Sequence, residues 1–145
     1  MNHNLDLVNK TYSEKTLEKY IEYFNDEDWG DISYYQTLSE SFIEKYFDKV
    51  DWYYISGYQI LSEKFIEKHL DKLDWEYISS NQRLSESFIE RNLYKVNWIE
   101  ISCYQKLSEK FVKKHLNKLD IKQLMFNDKI SKKIKKEISK LIEII

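Results

Sequence analysis

Apolar and polar positions along this chain recur with a period of 23 residues. Trp29, Trp52, Trp75 and Trp98 stand 23 residues apart, and Ile121 takes the next place in the series. The units 29–51, 52–74, 75–97 and 98–120 share the pattern W-x-x-I-S-x-Y-Q-x-L-S-E-x-F-I-E-K-x-L-x-K-V-D. A degenerate unit from Tyr12 to Ile21 lies within residues 1–28 and carries about three extra residues before Trp29; residues 121–145 form a degenerate last one. Four full repeats thus sit between two caps in one predicted helical-repeat domain. A period of this length marks units that bury their apolar faces by stacking on one another.

Each unit carries two helix starts. Ser39, Ser62, Ser85 and Ser108 are preferred N-caps, and Leu38 with Ile43, Leu61 with Ile66, Leu84 with Ile89 and Leu107 with Val112 are spaced as hydrophobic staples around them. They open helix B. Asp51, Asp74, Asn97 and Asp120 cap a shorter helix A, in which Trp falls at the first helical position and Val50 with Ile55, Leu73 with Ile78 and Val96 with Ile101 repeat the staple. Glu40, Glu63, Glu86 and Glu109 in the first turn of helix B, and Lys49, Lys72, Lys95 and Lys118 near its expected end, complement the helix dipole. Phe65, Ile66, Leu70 and Leu73 and their equivalents form one apolar arc at the 3.6-residue period. The pattern predicts helices of about two turns (A) and three turns (B), and an all-α fold, an α-solenoid of stacked two-helix repeats.

At the C-terminus, Ile130, Ile134, Ile138, Leu141, Ile142 and Ile145 share one side of a basic amphipathic helix. Such a helix can bind an acidic membrane surface, but at the end of a solenoid it is expected to cap the last repeat. Six lysines against Glu137 and Glu143 give residues 129–145 a charge of +4; the whole chain carries −2, which leaves −6 for the rest. That balance excludes a continuous basic groove for phosphates, so direct nucleic-acid binding is not expected.

At 145 residues, with 42% hydrophobic and 16% aromatic residues, the chain can bury one sizeable core. No apolar run approaches membrane-spanning length, and the start Met1-Asn2-His3-Asn4 lacks the blocks of a signal peptide, which predicts a soluble, cytoplasmic protein. The single cysteine, Cys103, fits a reducing compartment. Proline and alanine are absent and Lys outnumbers Arg by 21 to 2, a bias of AT-rich coding rather than of physics.

The sequence offers little catalytic chemistry. His69 and His115 occupy the same place in alternate repeats, within the apolar arc of helix B, and read as packing residues too far apart to share a zinc ion; His3 falls in a loose terminus. Ser33, Ser56, Ser79 and Ser102, each followed three residues later by Gln36, Gln59, Gln82 and Gln105, read as structural groups that satisfy backbone at the turn into helix B. Glycine-rich phosphate loops, H-E-x-x-H and paired cysteines are missing, so no catalytic residue, metal or cofactor is expected.

What varies between units is the side of helix A away from Trp and Ile: Gly30, Asp31 and Tyr34; Tyr53, Tyr54 and Gly57; Glu76, Tyr77 and Ser80; Ile99, Glu100 and Cys103. Tyr with acidic and small residues is a composition used by recognition surfaces. Tyr35, Tyr58 and Tyr104 flank this face, where they either pack on the neighbouring helix A or bind.

The unit from Trp52 to Ile66, W-Y-Y-I-S-G-Y-Q-I-L-S-E-K-F-I, resembles the short W-x-x-I-S-x-x-Q-x-L-S-E-x-F-I helical repeats of phage and large DNA-virus proteins, and the likeness spans about residues 12–131. Thr16 for Phe in the first unit and Ile121 for Trp in the last depart from it, as caps do. The resemblance implies a viral or mobile-element origin and no transferable activity. The expected function is a non-enzymatic protein-binding module whose face of Asp31, Tyr34, Tyr53, Tyr54, Glu76, Tyr77 and Glu100 engages another protein. Under the resemblance, that partner is a host protein such as an immune effector, and the chain an anti-defence inhibitor that occludes it. Two alternatives stay open: self-assembly into homo-oligomers through terminal faces that include Leu141, Ile142, Ile144 and Ile145, and acidic nucleic-acid mimicry.

Overall fold

Four serine side chains set the start of helix B in every full repeat. Ser39, Ser62, Ser85 and Ser108 each accept a hydrogen bond of 3.1 Å from the amide of the Phe three residues on, so the helices begin at Glu40, Glu63, Glu86 and Glu109. At helix A, the Asp51 carboxylate takes the amides of Tyr53 and Tyr54, and the Asn97 amide oxygen those of Ile99 and Glu100. The computed structural model describes residues 4–142, and side chains as far as Lys140. Expectations for His3 and for Leu141, Ile142, Ile144 and Ile145 fall outside the described side chains.

Among the described residues the fold is all-α, and neighbouring helices pack in the repeating pattern of an α-solenoid. The chain divides into two compact units at the boundary between the second and third repeats, residues 1–74 and 75–145. The first holds α1 (Glu14–Glu18), a 3-10 turn (Ile21–Tyr23), α2 (Asp26–Tyr35), α3 (Glu40–Lys45), α4 (Trp52–Tyr58) and α5 (Glu63–Lys68). The second holds α6 (Trp75–Asn81), α7 (Glu86–Arg91), α8 (Trp98–Tyr104), α9 (Glu109–Lys114), α10 (Ile121–Phe126) and α11 (Lys132–Ile142). A helices pack on A helices: α2 on α4 in the first unit, and α6 and α10 on α8 in the second.

The expected staple residues are buried throughout, with Ile43, Ile55, Ile66, Ile78, Ile89 and Ile101 fully enclosed. Each such side chain contributes roughly 1.5–3 kcal/mol relative to exposure. Between stacked repeats the backbone is stitched by glutamine. The Gln59 amide donates to the carbonyls of Ser33 (2.8 Å) and Gln36 (2.7 Å), and its oxygen accepts from the Leu38 amide (2.9 Å). Gln105 does the same with Ser79, Gln82 and Leu84, and Asn127 closes the series on Ser102 and Gln105. Ser33, Ser56, Ser79 and Ser102 each accept at 2.9 Å from the amide that opens the next helix A, at Asp51, Asp74, Asn97 and Asp120. The Ser and Gln series is therefore bound into the backbone.

The first cap keeps this register with three residues added. Gln36 donates to the carbonyls of Leu7 (2.6 Å) and Lys10 (2.8 Å) and accepts from the Tyr12 amide (2.8 Å), the same clamp as at Gln59 but 26 residues apart instead of 23. Asn25 is the N-cap of α2, so Asp26, Glu27 and Asp28 form an extra turn at its start and Trp29 is its fourth residue. Trp at the first helical position holds for α4, α6 and α8 only.

One further expectation is corrected. Helix B has six residues rather than three turns; after it the chain continues in tight turns, with the His69 amide bonded to the Ile66 carbonyl and the Lys72 amide to that of His69. Lys49, Lys72, Lys95 and Lys118 consequently lie beyond the helix end. The indoles are also not equally enclosed: Trp29 is buried between Phe24, Phe42 and Tyr46, whereas Trp52, Trp75 and Trp98 are half-buried, with Lys95 over Trp75 and Lys118 over Trp98. At the other end, Ile130, Ile134 and Ile138 are buried, and Lys133 pairs with Glu109 at 2.8 Å, so α11 caps the second unit. Among the described residues no helix is long and apolar enough to cross a membrane.

Candidate interaction face

On α2 and α4 the apolar stripe of Ile32 and Ile55 turns inward, and five tyrosines gather on the opposite side. Tyr34 is the hub. Its ring centroid lies 4.0 Å from Tyr58, 4.4 Å from Tyr35 and 5.2 Å edge-on from Tyr54, while Tyr53 meets Tyr54 at 5.5 Å. Contacts of this kind are worth about 0.5–1.5 kcal/mol each beyond buried area and hold the rings in place. A Cβ at Gly30 would stand 3.8 Å from the Tyr54 ring, an ordinary contact, so the cluster does not depend on glycine there.

Three of the five rings remain open to solvent, Tyr53 at 51%, Tyr35 at 44% and Tyr58 at 42% of full exposure. Tyr34 and Tyr54, expected on the outer face, are half-buried and serve as the support on which the exposed rings lean. Tyr35 and Tyr58 resolve as both packing and surface residues. Donating its hydroxyl proton to Tyr58 raises the Tyr34 phenol above its usual range. Asp31, one turn before Tyr34 and Tyr35 on α2, is half-buried, and burial, with Glu27 and Asp28 nearby, holds its carboxyl above the usual range. Glu27, Asp28 and Asp31 follow the i, i+3, i+4 spacing that places them in line with the tyrosines.

The second unit offers a different surface at the same positions. Glu76 and Ile99 are exposed, and Tyr77 and Glu100 half-buried; burial and the neighbouring Glu76 raise the Glu100 carboxyl. Tyr104 is exposed beside Cys103, whose thiol contacts the Gln123 side-chain oxygen at 3.4 Å. Here the same positions carry an acidic pair, two tyrosines, Tyr77 and Tyr104, and the exposed Ile99. The structure thus brings Tyr34, Tyr53 and Tyr54 together with Asp31 in one unit, and Glu76 together with Glu100 in the other.

His69 and His115 are committed to packing. His69 is buried against Trp52 and Phe65 with its Nε2 2.9 Å from Glu44, and His115 repeats this with Trp98, Phe111 and Glu90 at 3.1 Å. The paired Lys68 and His69 hold the Glu44 carboxyl below its usual range, and Lys114 and His115 do so for Glu90. Among the described residues no group of three His, Cys, Asp or Glu side chains is placed to hold a metal ion, and no buried side-chain nitrogen or oxygen lacks a hydrogen-bond partner. Comparison with protein-family models, with curated proteins and with solved structures finds no match.

Proposed function

We propose that this chain is a non-enzymatic protein-binding module and that the outer face of its A helices is the binding surface. The observation that supports this reading most is the five-tyrosine cluster, in which Tyr34 and Tyr54 pre-order three exposed rings. Rigid aromatic groups bind with little loss of side-chain entropy, which is why they dominate interface energetics. An inhibitor that occludes a host protein, as the likeness to viral repeats suggests, would work through the same surface.

The test is affinity capture from a lysate of the natural host, with the intact chain beside a variant in which Tyr35, Tyr53 and Tyr58 are all Ala. A protein held by the intact chain and lost by the variant is the expected result, with the helical circular dichroism of the two unchanged. Equal capture by both would reject this face.

A further inference from the structure

The A helices differ from the rest of the chain in charge as well as in aromatic content. The chain has 23 Lys and Arg residues, yet none falls in α2, α4, α6 or α8, while Asp26, Glu27, Asp28, Asp31, Glu76 and Glu100 do. Ten of the 21 lysines instead lie in helix B and the turn after it, where they pair with acidic groups, as Lys45 does with Glu18 and Lys68 with Glu44, or lie over rings, as Lys72 does over Phe47. In the first unit the acidic turn and the ring cluster occupy one side of one helix pair. Glu27, Asp28 and Asp31 lead along α2 to Tyr34 and Tyr35, which meet Tyr54 and Tyr58 of α4.

Carboxylates beside open tyrosine faces form a chemically selective pair. A guanidinium or ammonium group is drawn to the negative face of an aromatic ring and to a carboxylate at once, and its own hydrocarbon stem covers the apolar surface between them. An anionic or purely apolar segment would bury those carboxylates without compensation.

Resting on the protein-binding reading above, we infer that the α2–α4 face takes a basic segment of its partner protein, with arginine or lysine side chains laid over Tyr53, Tyr58 and Tyr35 and their charge turned toward Asp31 and the acidic turn of α2. The crowding of Asp31 by Glu27 and Asp28 is relieved when such a cation arrives.

A titration of the intact chain with a short peptide of alternating Arg and Gly, followed through the tyrosine ring resonances, tests this directly. The expected shifts concentrate on Tyr34, Tyr35, Tyr53, Tyr54 and Tyr58, and the same peptide with Glu for Arg produces none. Two exposed rings then separate cation recognition from plain apolar contact. Replacing Tyr53 and Tyr58 by Phe keeps the affinity within about twofold, whereas replacing both by Leu lowers it about tenfold. Asp31→Asn weakens binding severalfold, and the double variant Glu63→Gln with Glu67→Gln on α5 leaves it unchanged.

Leu as effective as Phe, or an α5 variant as damaging as Asp31→Asn, would overturn the inference, since binding would then be apolar or a diffuse charge effect. A partner captured through the tyrosines by a segment without Lys or Arg would also overturn it while leaving the protein-binding reading intact. Capture unaffected by loss of the tyrosines removes that reading itself.

Discussion

The two sides of each A helix obey different rules. In α4, Ile55 and Ser56, with Gln59 just past its end, are buried, while Tyr53 and Tyr58 are exposed; α8 splits in the same way between Ile101, Ser102 and Gln105 on one side and Ile99 and Tyr104 on the other. The buried set is identical in all four full repeats, and the exposed set changes from Tyr-rich in the first unit to acidic and mixed in the second. The reason lies in what each side must satisfy. Inward positions complete backbone hydrogen bonds of the adjacent repeat, so their side chains are dictated by a geometry that recurs every 23 residues; outward positions meet solvent and can be spent on recognition.

If this division holds, substitutions on the inner side lower stability more than those on the outer side. The largest effect is expected at Trp29. Its enclosed indole should cost about 3–5 kcal/mol on replacement by Ala, and the half-buried Trp98 about half of that. Denaturant unfolding of the two variants measures the difference, and equal losses would show that the lysine-covered indoles carry as much of the core as the enclosed one.

Next comes Gln59→Leu, which fills similar volume but deprives two carbonyls and one amide of their partner. Leaving buried backbone groups unpaired should cost about 3 kcal/mol, against about 1–2 kcal/mol for Tyr58→Ala one residue earlier, which loses its contacts with Tyr34 and Tyr54. The pair of melting temperatures is a sharp check, because the two positions are adjacent in sequence and differ only in the side they face. A Tyr58 variant as unstable as the Gln59 one would remove the division.

Much of this was legible in the sequence. The 23-residue period, the caps and the staples specify the repeat, and the Ser and Gln positions announce backbone partners by recurring where helix A turns into helix B. The length of helix B was not legible. Neither Gly nor Pro follows Lys68, and a chain tightening to about three residues per turn keeps Ile66, His69 and Leu73 on much the same side as an α-helix would. The apolar pattern is therefore blind to the change. The unequal burial of the tryptophans was hidden for another reason: Phe24 meets Trp29 from the cap, whose added residues lie outside the period, and the place of Tyr46 is taken by His69, Asn92 and His115 in the later repeats. The tyrosine cluster itself was half visible. Its members are plain in sequence, but the support of Tyr53 by Tyr54, and of Tyr58 by Tyr34, depends on ring placements within and across repeats that no single period describes.

Acid titration sharpens the comparison further, because carboxylates committed to packing and those on the outer face respond with opposite sign. Glu109, bonded to Lys113 and Lys133, has its pKa lowered to about 2 from 4.5. A depressed folded pKa stabilises the native state above about pH 4.5, and that contribution is lost as pH falls toward 2. The protection of α11 amides, the slowing of their exchange relative to that of an unfolded chain at the same pH, should accordingly fall through this window, and Glu109→Gln should show the lower protection already at neutral pH. Protection in α11 that is indifferent to both would mean the Lys133 contact does not hold the cap.

Asp31 is the smallest effect and runs the other way. Burial, Glu27 and Asp28 raise its folded pKa above the 3.8 of a free carboxyl, so the native state binds its proton more readily than the unfolded chain does. Stability then falls as pH rises through the window above 3.8, and the full penalty is in place at neutral pH. Asp31→Asn should therefore melt slightly higher than the parent at pH 7, with the gain vanishing once the solution is acid enough to protonate Asp31 in both states. A carboxylate that stabilises neither the repeat nor its cap, and is tolerated at some cost on the face that also carries the open tyrosines, is placed for something outside the chain. If Asp31→Asn instead lowers the melting temperature at neutral pH, Asp31 belongs with the inner, structural set and the division between the two sides of α2 must be redrawn.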